Sequence, residues 1–132
     1  MPIKIQFVLR LLVGYIPLEP FVKYSISLLS ARGYVPDRTV VEQVRLCVKH
    51  VRPQNPIFPT VFTDGELQQL TNPALLLIGD QEVICNPKSA VDRAAKLMPD
   101  LEAVIIPDAS HCLFAEQADT VNAYILKFLA RG

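Results

Sequence analysis

What this sequence has little of narrows its reading before any motif is considered. Its formal net charge is zero, so it lacks the electrostatic footprint that a nucleic-acid partner requires. Its five glycines, Gly14, Gly33, Gly65, Gly79 and Gly132, are scattered, which excludes a glycine-rich loop that cradles phosphate. The three cysteines, Cys47, Cys85 and Cys112, are odd in number and lack metal-ligand spacing. The plain reading is reduced thiols, a disulfide between Cys85 and Cys112 being the less favoured alternative, and no metal or other cofactor is expected. No internal repeat or low-complexity tract is present. The apolar stretch Met1–Pro17 is interrupted by Lys4, Gln6 and Arg10, too early for the roughly 20 apolar residues of a membrane span. It also lacks the clear core and cleavage site of a signal peptide. No membrane partner and a cytoplasmic location are therefore the expectation.

The composition that remains is 51% hydrophobic and 20% charged over 132 residues, which suits one globular domain with a modest core. Met1–Pro17 reads as an amphipathic helix presenting Phe7, Val8, Leu11 and Leu12 to a partner surface. Pro17 and Pro20 break it. A second helix is predicted over Phe21–Ala31, with Val22, Ile26, Leu28 and Leu29 apolar and Gly33 as its stop. Asp37 caps a third helix over about Arg38–Val51, whose apolar face is Val40, Val41, Val44, Cys47, Val48 and Val51. His50 sits near its C-terminal end, where an imidazolium suits the helix dipole, and is read as structural. Pro53 to Pro59 is a proline-rich loop. Thr63 or Asp64 starts a short helix through Leu70.

From Pro73 the pattern changes. Ala74–Ile78 is continuously apolar without alternation, the signature of a strand covered on both faces, and Gly79-Asp80 stops it. Asn86-Pro87 is a helix start, with Asn as N-cap and Pro at the first helical position. Ala90, Val91, Ala94, Leu97 and Met98 follow at helical spacing. Ala103–Ile106 is a second apolar run, stopped by Pro107-Asp108. Cys112-Leu113-Phe114 forms a short helical turn. Asp119 or Thr120 caps a last helix, in which Val121, Tyr124, Ile125, Phe128 and Leu129 make a stripe that covers one face of the strands.

Strand, helix, strand in that order is a crossover that sets the two strands parallel, with both carboxyl ends on one sheet edge. Open α/β sheets place their chemistry at that edge. Neighbouring strands lie about 4.8 Å apart, so Glu82, in the turn after the first strand, comes within hydrogen-bonding reach of His111, in the turn after the second. A carboxylate facing an imidazole fixes its tautomer and stabilises the imidazolium formed during proton transfer. Spacing alone fits a solvated turn glutamate and an ordinary loop histidine better, because such lone pairs are common.

The surrounding residues change that reading. PALLLIGDQEVICNP, a helix, VIIPDASHCLFAEQ and an amphipathic final helix together resemble the C-terminal portion of the α/β-hydrolase fold family, specifically over about Glu66–Phe128. In that family a strand ends in Gly-x-x-acid. Gly79-Asp80-Gln81-Glu82 matches, so the resemblance gives the acid role to Glu82 rather than Asp80. The family's histidine segment, Pro-x-Ala-Gly-His with an acidic residue, Gln and Pro following, is matched by Pro107-Asp108-Ala109-Ser110-His111 and Glu116-Gln117-Ala118. Ser110 replaces the usual Gly and Ala118 the usual Pro. Serine tolerates positive φ poorly, so an altered backbone beside His111 is expected.

The family's nucleophile lies upstream in a G-x-S-x-G elbow. No such motif occurs here, nor a His-Gly-Gly stretch for an oxyanion hole, so the resemblance implies a chain that begins after the elbow, in the lid region. The expected architecture is α/β: a partial α/β-hydrolase-like fold with a short parallel sheet flanked by helices, residues 1–62 being a helical lid-like region and 63–132 the βαβα part of the core. The implied reaction is hydrolysis of an ester or related bond, with His111 as general base then acid, Glu82 orienting it, and the nucleophile and oxyanion donors outside this sequence. The isolated chain is expected to be inactive. A nucleophilic Cys85 or Cys112 is disfavoured, since neither sits in a strained elbow. The implied partners are a small apolar ester-like substrate once an N-terminal half completes the site, and either that half or a second copy covering the sheet edge. Two parallel strands leave apolar surface exposed unless something pairs with them. The alternative is a non-catalytic interaction module, or pseudoenzyme, that keeps the fold.

Overall fold

The computed structural model describes residues 16–51 and 60–131. The expected helix over Met1–Pro17 and the loop from Pro53 to Pro59 lie largely or wholly outside the described residues. The described elements are, in order, α1 (Glu19–Leu29), α2 (Arg38–His50), α3 (Asp64–Gln68), β1 (Ala74–Gly79), α4 (Pro87–Leu97), β2 (Leu101–Ile106), α5 (Leu113–Glu116) and α6 (Ala118–Leu129).

α1 begins two residues before its predicted start, because Pro20 lies inside its first turn. A proline there gives up only an N–H that has no intrahelical partner. α1 ends at Leu29 rather than Ala31; Ser30 is extended at its C-cap. Gly33, with φ of +83°, belongs to the turn closed by Tyr34 N–H on Ala31 O rather than to the helix end. The side chain of Asp37 accepts from Thr39 N–H at the start of α2 at 2.6 Å, as a cap should. The two helices pack on a core of Val22, Ile26 and Val41, with Val40 and Val44 against it. The predicted α2 face is too wide: Cys47 and Val51 are exposed.

α3 carries a capping box in which Thr63 and Glu66 satisfy each other's backbone N–H groups. Arg93 of α4 then donates to Phe62 O at 2.6 Å and to Asp64 at 2.7 Å, which ties α3 to α4. Asn86 caps α4 by accepting from Ser89 N–H at 2.8 Å.

β1 and β2 are parallel neighbours in a two-stranded sheet, in a register that runs from Ala74 opposite Leu101 to Gly79 opposite Ile106. β2 is two residues longer at its start than the apolar run suggests. Pairing with β1 brings in Leu101 and Glu102, the latter bonded to Arg131. The expectation that Ala74–Ile78 is covered on both faces is not met within these residues. Ala74–Leu77 are half-buried, and only Ile78 and Gly79 are buried; in β2 Ile105 is 39% exposed while Ile106 is 1%. Both outer strand edges are unpaired among the described residues, so the middle of the sheet is not enclosed. α6 starts at Ala118, earlier than Asp119 or Thr120, with Gln117 at its N-cap and no side-chain capping bond. Its stripe is also divided. Val121 is buried and Tyr124 and Phe128 are half-buried, whereas Ile125 and Leu129 are exposed.

Candidate active site

The carboxyl ends of β1 and β2 are laced together by backbone. Asp80 N–H donates to Ile106 O and Gln81 N–H to Ala109 O, both at 2.9 Å. Gly79 makes this approach feasible. A Cβ there would lie 2.2 Å from the Ala109 carbonyl oxygen and 2.8 Å from the Ser110 nitrogen, closer than any side chain tolerates. Asp80 contributes through structure, its carboxylate accepting from Ala109 N–H at 3.3 Å.

The loop after β2 turns at Asp108, which takes a left-handed φ of 53°; Asp is among the few residues that visit this region readily. Ser110 does not take the left-handed backbone that a glycine in its place would permit. Positive φ falls at Asp108 and not at Ser110. Ser110 is fully buried, and its hydroxyl donates to Gln81 O at 2.8 Å, a bond a glycine could not make. Ala118, the other departure, opens α6, the position where proline would be at home and alanine is also a good helix former.

These two turns bring Glu82 and His111 together. The Nδ1 of His111 lies 3.0 Å from Oε2 of Glu82. A carboxylate only accepts, so Nδ1 carries the proton of this bond and Nε2 is left with a lone pair in the neutral ring. The Glu82 side chain is 7% exposed and that of His111 46%. The carboxylate is thus secluded while the imidazole remains reachable. Oε1 of Glu82 accepts from Ile84 N–H at 2.7 Å, which fixes the carboxylate plane. A group of this kind can take a proton at Nε2 and hold the resulting imidazolium against a buried negative charge.

Partial desolvation, with the nearby Glu82 carboxylate second, pushes the thiol of the exposed Cys85 up. Burial, with the Glu116 carboxylate second, does the same to Cys112. Both therefore favour the protonated form and are poor nucleophiles at neutral pH. All three cysteines are free, and His50 is exposed at the end of α2. Among the described residues, no group of three or more metal-ligating side chains converges, and no helix is long and apolar enough to cross a membrane. A groove of about 370 Å³ lined by Pro73, Asp100, Phe128, Leu129 and Arg131 opens near the amino ends of the strands and takes no part in this site.

The sequence reading places Gln81 and Glu116 within the matched segments but misses what their side chains hold. Gln81 Oε1 accepts from Arg32 N–H at 2.9 Å. Glu116 accepts from Ala31 N–H at 2.7 Å and from Ser110 N–H at 2.5 Å. Neither bond has a periodicity or spacing signal, because each joins a side chain to backbone far away or around a loop.

The parallel βαβ unit with its flanking helices is the C-terminal part of an α/β-hydrolase fold. The relatives bear this out. A Bacillus subtilis (strain 168) carboxylesterase called nap is 48% identical over 71 residues, 54% of this chain and 24% of the relative. Carboxylesterase YbfK of the same organism is 38% identical over 84 residues, 64% of this chain and 28% of the relative. The crystal structure of naproxen esterase from Bacillus subtilis superposes with a TM-score of 0.81 at 34% identity, covering 98% of this chain and 47% of that one. That of carboxylesterase CesB (YbfK) gives 0.78 at 28%, covering 97% and 45%. No family model matches the chain. The chain thus spans about half the length of the solved relatives, and its matched stretch about a quarter of the curated ones.

Proposed function

We propose that this chain carries the acid–base half of a carboxylic-ester hydrolase, with His111 as the proton carrier and Glu82 as its orienting partner. The observation that supports this most is the 3.0 Å contact from His111 Nδ1 to a secluded Glu82 carboxylate, which leaves Nε2 as the basic nitrogen. In the proposed reaction Nε2 takes the proton of a hydroxyl nucleophile as its oxygen bonds to the ester carbonyl carbon. The imidazolium then returns that proton to the departing alkoxide as the carbon–oxygen bond breaks. Water repeats the cycle on the acyl intermediate and frees the acid. The nucleophile and oxyanion donors are supplied from outside this sequence, and the helices before β1 shape an apolar pocket over the strand ends.

The test joins the nucleophile-bearing half of the Bacillus subtilis carboxylesterase to this chain and follows short-chain nitrophenyl ester hydrolysis. The joined protein should turn over, and His111→Ala should lower kcat by about a million-fold. The chain by itself should show no turnover. Activity of the isolated chain that disappears with His111→Ala would overturn the need for an external nucleophile.

A second reading is favoured by the strand edges, unpaired among the described residues, and by the exposure of Ile105, Leu126 and Leu129: an interaction module that uses this surface without catalysis. A discrete, stable homodimer by light scattering, with no hydrolysis in any combination, would support it instead.

A further inference from the structure

Glu116 holds two backbone groups that belong to different parts of the chain. Its Oε1 accepts the Ala31 N–H, just past α1, at 2.7 Å, and its Oε2 accepts the Ser110 N–H, next to His111, at 2.5 Å. Ala31 is 7% exposed and Ser110 not at all, so neither donor has water as a ready substitute. A second residue repeats the pattern: Gln81 accepts Arg32 N–H through its side chain and Ser110 Oγ–H through its backbone oxygen. The segment after α1 and the histidine loop are therefore bolted together at adjacent residues, Ala31 and Arg32.

We infer that Glu116 is a positioning residue that clamps the end of α1 to the His111 loop, so that the placement of the N-terminal helices sets how well His111 faces Glu82. The inference deepens the hydrolase reading and rests on it for its consequence in catalysis, though not for the clamp itself. Only a carboxylate suits the position, since it presents two acceptor oxygens and no donor. Glutamine has nearly the same shape, but its amide NH2 confronts one of the two N–H groups. A residue that merely fills space would be replaced by glutamine without effect.

The experiment is NMR on the intact chain, with His50→Gln used to assign the His111 imidazole. In the unaltered protein, scalar coupling across the hydrogen bonds should connect the amide nitrogens of Ala31 and Ser110 to the side-chain carboxyl carbon of Glu116. This measurement needs no variant that might fail to fold, and its absence would overturn the clamp. In Glu116→Gln, exchange of one of those two amides should quicken by about tenfold or more. The His111 ring should also move from a single Nδ1–H tautomer toward a mixture. Glu42→Gln, on the exposed side of α2, should change neither. Wild-type exchange and an unchanged imidazole in Glu116→Gln would overturn the inference. His111→Gln should leave both Glu116 bonds protected. Failure of the hydrolase reading would thus show as absent ester hydrolysis in the joined protein with the clamp intact. Failure of the clamp would show as an unaffected Glu116→Gln with hydrolysis still lost in His111→Ala.

Discussion

The helix pair α1–α2 and the strand unit from α3 to α6 are held together by different means. In the helix pair the buried residues are apolar and face one another: Val22, Ile26 and Val41, with Val40 and Val44 alongside. Each helix covers the other, so a small amount of burial goes a long way. In the strand unit most of the buried positions gather at one end, Val121 of α6 being the exception. Ile78, Ile106, Ala109 and Ser110 are enclosed where the strands finish, while the middle of the sheet is half-open and its outer edges are unpaired among the described residues. What orders that end is largely a lattice of backbone and carboxylate hydrogen bonds running through Asp80, Gln81, Ala109, Ser110 and Glu116. The end that holds Glu82 and His111 is thus ordered by its own hydrogen bonds, whereas the flanks of the sheet are open among the described residues. Chemistry that depends on one hydrogen bond needs local order more than it needs a large core.

The strongest way to break that contrast is Gly79→Ala. The added methyl meets the Ala109 carbonyl at 2.2 Å, and backbone cannot swing aside as a side chain does. We expect a loss of stability on the order of 3 kcal/mol in urea denaturation, together with separation of His111 from Glu82, seen as loss of the single imidazole tautomer. A Gly79→Ala variant as stable as the original would mean that close approach of the two turns does not hold this end.

Val22→Ala probes the other region. Val22 is fully buried in the helix pair, and removing two methyl groups from such a place costs about 2 kcal/mol. Hydrogen exchange should quicken along α1 and α2 while protection at β1 and β2 stays. Parallel loss in the strands would show that the two regions open as one cooperative unit and that the contrast between them is only one of composition.

Much of this is legible in the residues because it is written in local chemistry. Asn86-Pro87 and Asp37 announce helix starts through side-chain geometry, and both side chains accept the N–H bonds expected of them. The parallel pairing follows from two apolar runs separated by one helix, and it brings Glu82 and His111 to one edge, where they lie 3.0 Å apart. The misreadings share a cause. Full cover for Ala74–Ile78 rests on hydrophobicity, which reports what a strand is suited to and not which neighbours are at hand. Spacing puts Cys47 and Val51 on the α2 face, but the face is only as wide as α1 can cover. Strain at Ser110 is expected only if the left-handed residue falls at the usual glycine; the turn places it at Asp108. Glu116 is unreadable as a clamp because its donors are Ala31, at a separation of 85 residues, and a loop amide whose direction no sequence pattern encodes.

The smallest effect concerns the thiol beside the site, and it separates two causes of the same shift. Cys112 is pushed up first by burial and second by the Glu116 carboxylate, with the Ser30 hydroxyl opposing them. A thiol in an unfolded chain titrates at about 8.5, and the folded value lies above that of the unfolded chain. The native state therefore holds its proton more tightly than the unfolded state. That preference is fully present below the unfolded thiol value and is lost as pH rises through the folded one, so alkaline titration should lower the denaturation midpoint slightly. Alkylation rates of Cys112 measured against pH, in a protein with Cys47 and Cys85 replaced by serine, should give a midpoint above that of the same chain in urea. Glu116→Gln should bring this midpoint down only part of the way, since the larger cause is burial and glutamine leaves that in place. A return of the whole shift would make the Glu116 charge the dominant influence and the histidine loop far wetter than its fully buried neighbour Ser110 indicates. No change at all would leave burial as the cause of the shift, with no measurable part played by the Glu116 charge.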